Sequence, residues 1–236
     1  MVGMMDSRRV AYLKALDIDV WERRDLAPAA AVAVEVPVAA DSGAQVDRAG
    51  WAELERAVKT CTLCPLHRTR TQGVFGVGNR AAQWMVIGEA PGADEDRQGE
   101  PFVGRAGQLL NSMLKAIGLP REQVFIANIL KSRPPNNRDP KPEEVQACIP
   151  YLFRQIELVN PKLILCVGRI AAQTLLETDT PIGKLRGQLH RIAGNRPMVV
   201  TYHPAYLLRS PGEKRKSWAD LLLALRTFEQ VTGAAT

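Results

Sequence analysis

Four short apolar runs, Trp84–Gly88, Val124–Ile129, Leu163–Val167 and Met198–Tyr202, constrain this chain most. Each is long enough for a strand buried on both faces and too short for a buried helix. Between them lie longer stretches whose apolar residues recur at helical spacing. Helices are expected at Trp51–Lys59, Ala106–Ile117, Glu143–Leu158 (kinked at Pro150), Ile170–Leu176 and Lys214–Thr227, with a short strand near Leu189–Ile192. The alternation predicts an α/β fold, a mostly parallel central sheet flanked by helices. Ligands of such sheets collect beyond the carboxyl ends of the strands. Three of those ends carry unusual residues: Gly88-Glu89-Ala90-Pro91-Gly92 with a long loop to Gly104, Asn128, and His203-Pro204.

With 236 residues, the chain can form one α/β domain and an additional segment. Residues 6–18 read as a short helix, and the Ala-, Val- and Pro-rich stretch from Ala27 to about Val46 reads as a linker. The division is therefore 1–48, an amino-terminal helix and flexible linker, and 49–236, the domain. The first segment is either a loosely packed tail or a docking peptide for a protein partner. A net charge of +6 suits a polyanion such as nucleic acid, and equally an ordinary basic protein. No apolar run reaches the roughly 18 residues of a membrane helix; Glu35 and Pro37 interrupt the longest. Arg8-Arg9 is followed by too many charges for an export signal. The expectation is a cytoplasmic monomer with no membrane contact.

Four cysteines are present: Cys61-x-x-Cys64, Cys148 in an expected helix, and Cys166 near the end of an expected strand. Two intervening residues let the first pair face one ion. Four thiolates can hold a zinc ion or a [4Fe–4S] cluster, and spacing alone separates neither. Otherwise Cys148 and Cys166 are small core residues.

The strand-end residues have two readings each. Phe102 packs in the core or stacks on a planar base. Asn128 caps a turn or reads the amide edge of a base. His203 caps a loop or polarises a carbonyl, while Leu207, Leu208 and Arg209 begin a helix or supply a wedge and a phosphate contact.

Together, Cys61-x-x-Cys64, the Gly88–Gly92 turn, Pro101-Phe102-Val103-Gly104, Ala127–Lys131, Arg133–Arg138 and His203–Arg209 resemble the family-four uracil-DNA glycosylases, from about Trp51 to Thr227. The resemblance implies a uracil-DNA glycosylase-like fold and a [4Fe–4S] cluster on Cys61, Cys64, Cys148 and Cys166. It implies hydrolysis of the N-glycosidic bond of deoxyuridine in DNA, the step that starts base excision repair. Gly88, Ala90, Phe102 and Asn128 then form the uracil pocket, with Phe102 stacking, Asn128 reading the polar edge and His203 stabilising charge on O2. Arg133, Asn137, Leu207, Leu208 and Arg209 face DNA. Lys131, close behind Asn128, is read from its position as a phosphate contact, with a Schiff-base amine as the alternative. Ala90 stands where the best-known branch of the superfamily has a water-orienting aspartate, so either Glu89 or Glu95 activates the water or the reaction depends mainly on stabilising the leaving group. Ser132 stands where cysteine is expected to be frequent in relatives, but it lies outside the expected cluster set.

Three other readings compete. A covalent branch uses a histidine in the loop that here spans Lys131–Asp139, and this loop has none. A broader deaminated-base glycosylase would attack hypoxanthine or xanthine. A zinc-stabilised, non-catalytic DNA-binding module would be colourless rather than brown.

Overall fold

The computed structural model describes residues 46–233. The expected amino-terminal helix and most of the linker fall on residues 1–45, outside the described residues. Val46–Arg48 are helical, and Val46 is buried.

All four apolar runs are strands. In chain order the strands are β1 Val77–Gly78, β2 Trp84–Gly88, β3 Phe125–Asn128, β4 Leu163–Val167, β5 Leu189–Ile192 and β6 Arg196–Thr201. They form one sheet in the order β1-β3-β2-β4-β6-β5. The inner four are mutually parallel, while β1 pairs with β3 and β5 with β6 in antiparallel fashion. The sheet is thus mixed, which corrects the expectation of a mostly parallel one. At β5–β6 the cause is the short connection: Ala193, Gly194 and Asn195, all at positive φ, turn the chain straight back. A parallel crossover needs a dozen residues or more.

Side chains alternate across the inner strands, which are buried on both faces. Met85, Ile87, Ile164, Cys166, Met198 and Val200 point into one apolar layer, and Trp84, Val86, Leu163, Leu165 and Val199 into the other. The first layer is covered by α1 (Trp51–Thr60), α4 (Pro142–Val159) and α5 (Arg169–Leu176). On α4 the buried set Cys148, Tyr151, Leu152, Gln155, Ile156 and Val159 is a single helical stripe. The helix continues through Pro150 as one element. The second layer is covered by α3 (Arg105–Ala116), α7 (Pro204–Arg209) and α8 (Lys214–Thr232).

Two helices lie where none was expected: α2 (Ala93–Gln98), within the long Gly88–Gly104 loop, and α6 (Ile182–Leu185). The sequence of α2, Ala-Asp-Glu-Asp-Arg-Gln, has no apolar stripe. Its ends hold it instead. Glu95 accepts from the Gly92 N–H at its start, and Gly99 closes its end at φ 80°.

Strand order reverses about β2, since β3 lies on one side of it and β4 on the other. The crevice that such a reversal opens lies beyond Gly88, Asn128 and Val167.

Candidate active site

At that place is a crevice of about 750 Å³, lined by Glu89–Gly92, Glu95, Phe102, Asn128, Tyr202, His203 and Arg209, among others. The three strand ends singled out in the sequence therefore converge. Gly88 lies under the floor: a Cβ there would sit 2.5 Å from Asn128 Oδ1 and 2.6 Å from the Phe102 ring. Only glycine lets those two side chains meet over the strand end. Ala90 follows, half-buried in the crevice wall.

Phe102 is held under constraint. Its φ is 56°, a conformation bulky residues rarely adopt. Two clamps enforce it. Glu95 receives the N–H groups of Val103 at 3.0 Å and Gly104 at 3.1 Å, in addition to that of Gly92. Arg121 donates to the carbonyls of Phe102 at 3.2 Å and Pro101 at 2.6 Å. The Phe102 carbonyl also packs where a Cβ on Gly107 would be. The ring then lies over His203, centroids 5.5 Å apart and planes 30° from parallel. Sequence reading missed Arg121, which is remote from every motif and reaches the loop only through the fold.

Asn128 is 2 % exposed, and its Oδ1 has no hydrogen-bond partner. An unpaired buried acceptor costs about 1–3 kcal/mol, so its presence at the crevice floor marks a place for a donor. Beneath it lies Lys131, whose Nζ donates to the Asn128 carbonyl at 2.8 Å and to Gln155 Oε1 at 2.6 Å. Gln155 passes the support on to the Phe75 carbonyl at 2.8 Å. Lys131 is 1 % exposed, and burial pushes its ammonium down to about 7. The expectation that it contacts a phosphate is corrected: it props the strand end from inside.

His203 caps α7. Its Nδ1 accepts the Ala205 N–H at 3.1 Å, so the neutral ring carries its proton on Nε2. Burial, and then the Arg209 charge, push the imidazole down to about 4, with Glu95 opposing. At neutral pH it is an uncharged donor. Two tyrosines complete this wall, Tyr202 and Tyr206, with ring centroids 5.0 Å apart. Their position beside His203-Pro204 was the available signal, and it went unused.

Glu89 faces the opposite wall. Burial, and then the Asp139 charge, push its carboxyl up to about 7, while Arg169 pulls it down. Arg169 and Asp139 are paired at 2.6 Å across the crevice mouth. Glu89 is free to take a proton, whereas three backbone donors occupy Glu95.

Of the residues expected to face DNA, Asn137 and Arg209 line the crevice, and Arg133 donates to Asn137 at 2.8 Å. Leu208 is 37 % exposed. Leu207 is 1 % exposed and anchors α7 in the second layer, so of the two leucines only Leu208 faces solvent.

The cysteines do not form one four-membered group. Burial pushes the Cys148 thiol up to about 11, with added pressure from Cys64 and Cys61, so these three share a neighbourhood. Burial alone raises Cys166. Among the described residues, no three His, Cys, Asp or Glu side chains converge as a metal-holding group. The expected set of Cys61, Cys64, Cys148 and Cys166 does not fit a [4Fe–4S] cluster.

Comparison with known proteins agrees with this geometry. The family model described as Uracil DNA glycosylase superfamily matches residues 75–223. The chain is 49 % identical over 175 residues to a Type-4 uracil-DNA glycosylase of Archaeoglobus fulgidus, covering 71 % of this chain and 88 % of that protein. It is 44 % identical over 178 residues to the enzyme of that name from Pyrobaculum aerophilum, covering 72 % and 91 %. For that of Thermotoga maritima the identity is 46 % over 154 residues, covering 65 % and 80 %. A crevice at the sheet's reversal point, the strand-end motifs that build it and these three relatives agree: the chain belongs to the uracil DNA glycosylase superfamily.

Proposed function

We propose that this crevice receives a deoxyuridine turned out of DNA and hydrolyses its N-glycosidic bond, leaving an abasic site. The unpartnered Asn128 Oδ1 is the observation that carries this reading. Uracil presents an N3–H donor beside its O4 acceptor, and an amide side chain matches both; cytosine presents the reverse pattern. A base stacked in a duplex cannot reach a floor this deep, so the nucleotide must be extruded. Phe102 stacks on it, with its ring already aligned by Glu95 and Arg121.

Bond cleavage leaves negative charge on the departing uracil, shared between O2 and O4. The Nε2–H of neutral His203 donates to O2 as that charge develops. A fixed donor in a site shielded from water is often the largest single contribution to such a reaction. Glu89, part ionised at neutral pH, takes the proton of the attacking water in place of the aspartate that Ala90 replaces. Glu95 is a positioning residue, not the base. Arg133, Asn137 and Arg209 hold backbone phosphates, and Leu208 fills the space the base leaves. With Lys131 buried beneath the floor, no amine faces the sugar for Schiff-base chemistry among the crevice-lining residues.

If an iron–sulfur group is bound at the cysteine corner, it supplies structural support for α4 and the Cys61–Cys64 loop. The proposed location is the cytoplasm, with the DNA substrate; no described helix is long and apolar enough to cross a membrane.

The test is release of free uracil from an oligonucleotide with one deoxyuridine, followed by alkali. Alkali-dependent scission at uracil and none in the thymidine control supports the reading. Intact strands with a folded protein would reject it, and scission before alkali would show lyase activity instead.

A further inference from the structure

We infer that the fourth corner of the cysteine site is Ser132, and that Cys166 is a core residue with no part in metal binding. The two cysteines beyond Cys61-x-x-Cys64 differ in setting. Cys148 projects from α4 toward the chain just after β3, where its Sγ accepts the Lys131 N–H at 3.5 Å. The next residue, Ser132, is 3 % exposed, and its Oγ accepts from Arg70 Nη1 at 2.7 Å. The other terminal nitrogen of Arg70 donates to the carbonyls of Cys61 and Lys59, each at 2.9 Å. Tyr151, one turn beyond Cys148, donates to Cys61 Sγ at 3.4 Å. Ser132, Cys61 and Cys148 are therefore linked through Arg70, Lys131 and Tyr151, and Cys64 packs in the same layer as Cys148, although the side chains are not drawn together as a metal-holding group in this structure.

Cys166 belongs elsewhere. It is a mid-sheet residue, in register with Ile87 on one side and Val200 on the other, and fully buried. In Leu-Ile-Leu-Cys-Val it occupies a position that an alanine or valine could fill.

Three thiolates and a hydroxyl make a harder and less tightly binding set than four thiolates, because an alcohol gives up its proton far less readily than a thiol. Arg70 meanwhile ties the Cys61–Cys64 loop to Ser132 by hydrogen bonds, the same connection a fourth metal–sulfur bond would make. A cluster held here would be lost more easily than one on four cysteines.

The experiment compares iron content, visible absorbance and bleaching in air for the full chain and its variants, purified without oxygen and reconstituted with ferrous iron and sulfide. Ser132→Cys is expected to hold more iron and bleach more slowly than the parent, or to gain a cluster if the parent holds none. Cys166→Ala and Cys166→Val are expected to match the parent, and Cys148→Ala to hold less iron wherever the parent holds any. Melting curves for every variant separate misfolding from loss of a ligand. Loss of iron in the folded Cys166 variants, or a Ser132→Cys protein indistinguishable from the parent, would overturn the assignment. The uracil-release assay reports separately on the proposed function, so failure of one leaves the other standing.

Discussion

At the scale of the residue, the site depends on polar groups whose protonation is set by burial. His203 stays neutral down to about pH 4, so its donor is intact throughout the physiological range. Its folded value is below the unfolded one of about 6.5. The unfolded chain therefore binds the extra proton first, and His203 lowers stability as pH falls from about 6.5 toward 4. A His203→Gln variant should melt with a weaker pH dependence in that window, and should cleave on the order of 10²–10³-fold more slowly at neutral pH. Glu89 sets a different limb. If it acts as the base, the rate should rise with pH through about 7. Asp139→Asn removes a repelling charge and frees Arg169, which should move that limb to lower pH; Arg169→Gln should move it higher. Both shifts should shrink in salt, because the pair is exposed. Rate profiles across pH at two ionic strengths check these directions. The residues at strand ends were legible in the sequence because a polar or glycine residue interrupts an apolar run there. Lys131 was not: its charge suggested a surface, while its path under Asn128 is set by Gln155 and Phe75, far away in the chain.

At the scale of the element, the Phe102 loop is the most constrained part of the site. Gly107 lies in the first turn of α3 directly against the Phe102 carbonyl, so Gly107→Ala must push the loop out of place. Arg121→Ala removes the other clamp, with a loss of roughly 1.5–3 kcal/mol expected per charged hydrogen bond not replaced by water. Both variants should raise KM for a uracil-containing strand and lower the melting temperature, and thermal melts with steady-state kinetics check this. Elements were legible where apolar residues repeat: α4 extends from Pro142 to Val159 against an expected Glu143–Leu158. Helix α2 was hidden because it has caps in place of an apolar face. The direction of β5 was hidden because alternation does not encode direction; the Gly194-Asn195 turn does. Cys166 allowed both readings in the sequence. Its apolar neighbours already said core, but its sulfur suggested a ligand.

At the scale of the molecule, the His203 wall is anchored across the sheet. Asp220 on α8 is fully buried, accepts from Thr201 Oγ1 at 2.9 Å, and pairs with Arg186 through two bonds at 2.9 and 2.7 Å. Thr201 ends β6, two residues before His203. Removing one member of a buried pair leaves the other uncompensated and costs about 3–5 kcal/mol. Asp220→Ala should therefore unfold at markedly lower denaturant than Asp139→Ala, whose partner is exposed; urea titrations check the ranking. The net charge of +6 should make DNA affinity fall steeply with salt, and Arg209→Ala should reduce that slope by about one phosphate contact. In the sequence this charge suited a polyanion and an ordinary basic protein equally, and nothing in composition located the crevice. Recognition by Asn128 is tested most directly by single-turnover cleavage of otherwise identical strands carrying uracil or cytosine, with the parent protein and Asn128→Ala. The expected result is cleavage at uracil alone, slowed about 10- to 100-fold in the variant, the equivalent of roughly 1–3 kcal/mol. Comparable cleavage at cytosine by the parent, or an unchanged uracil rate in the variant, would contradict it.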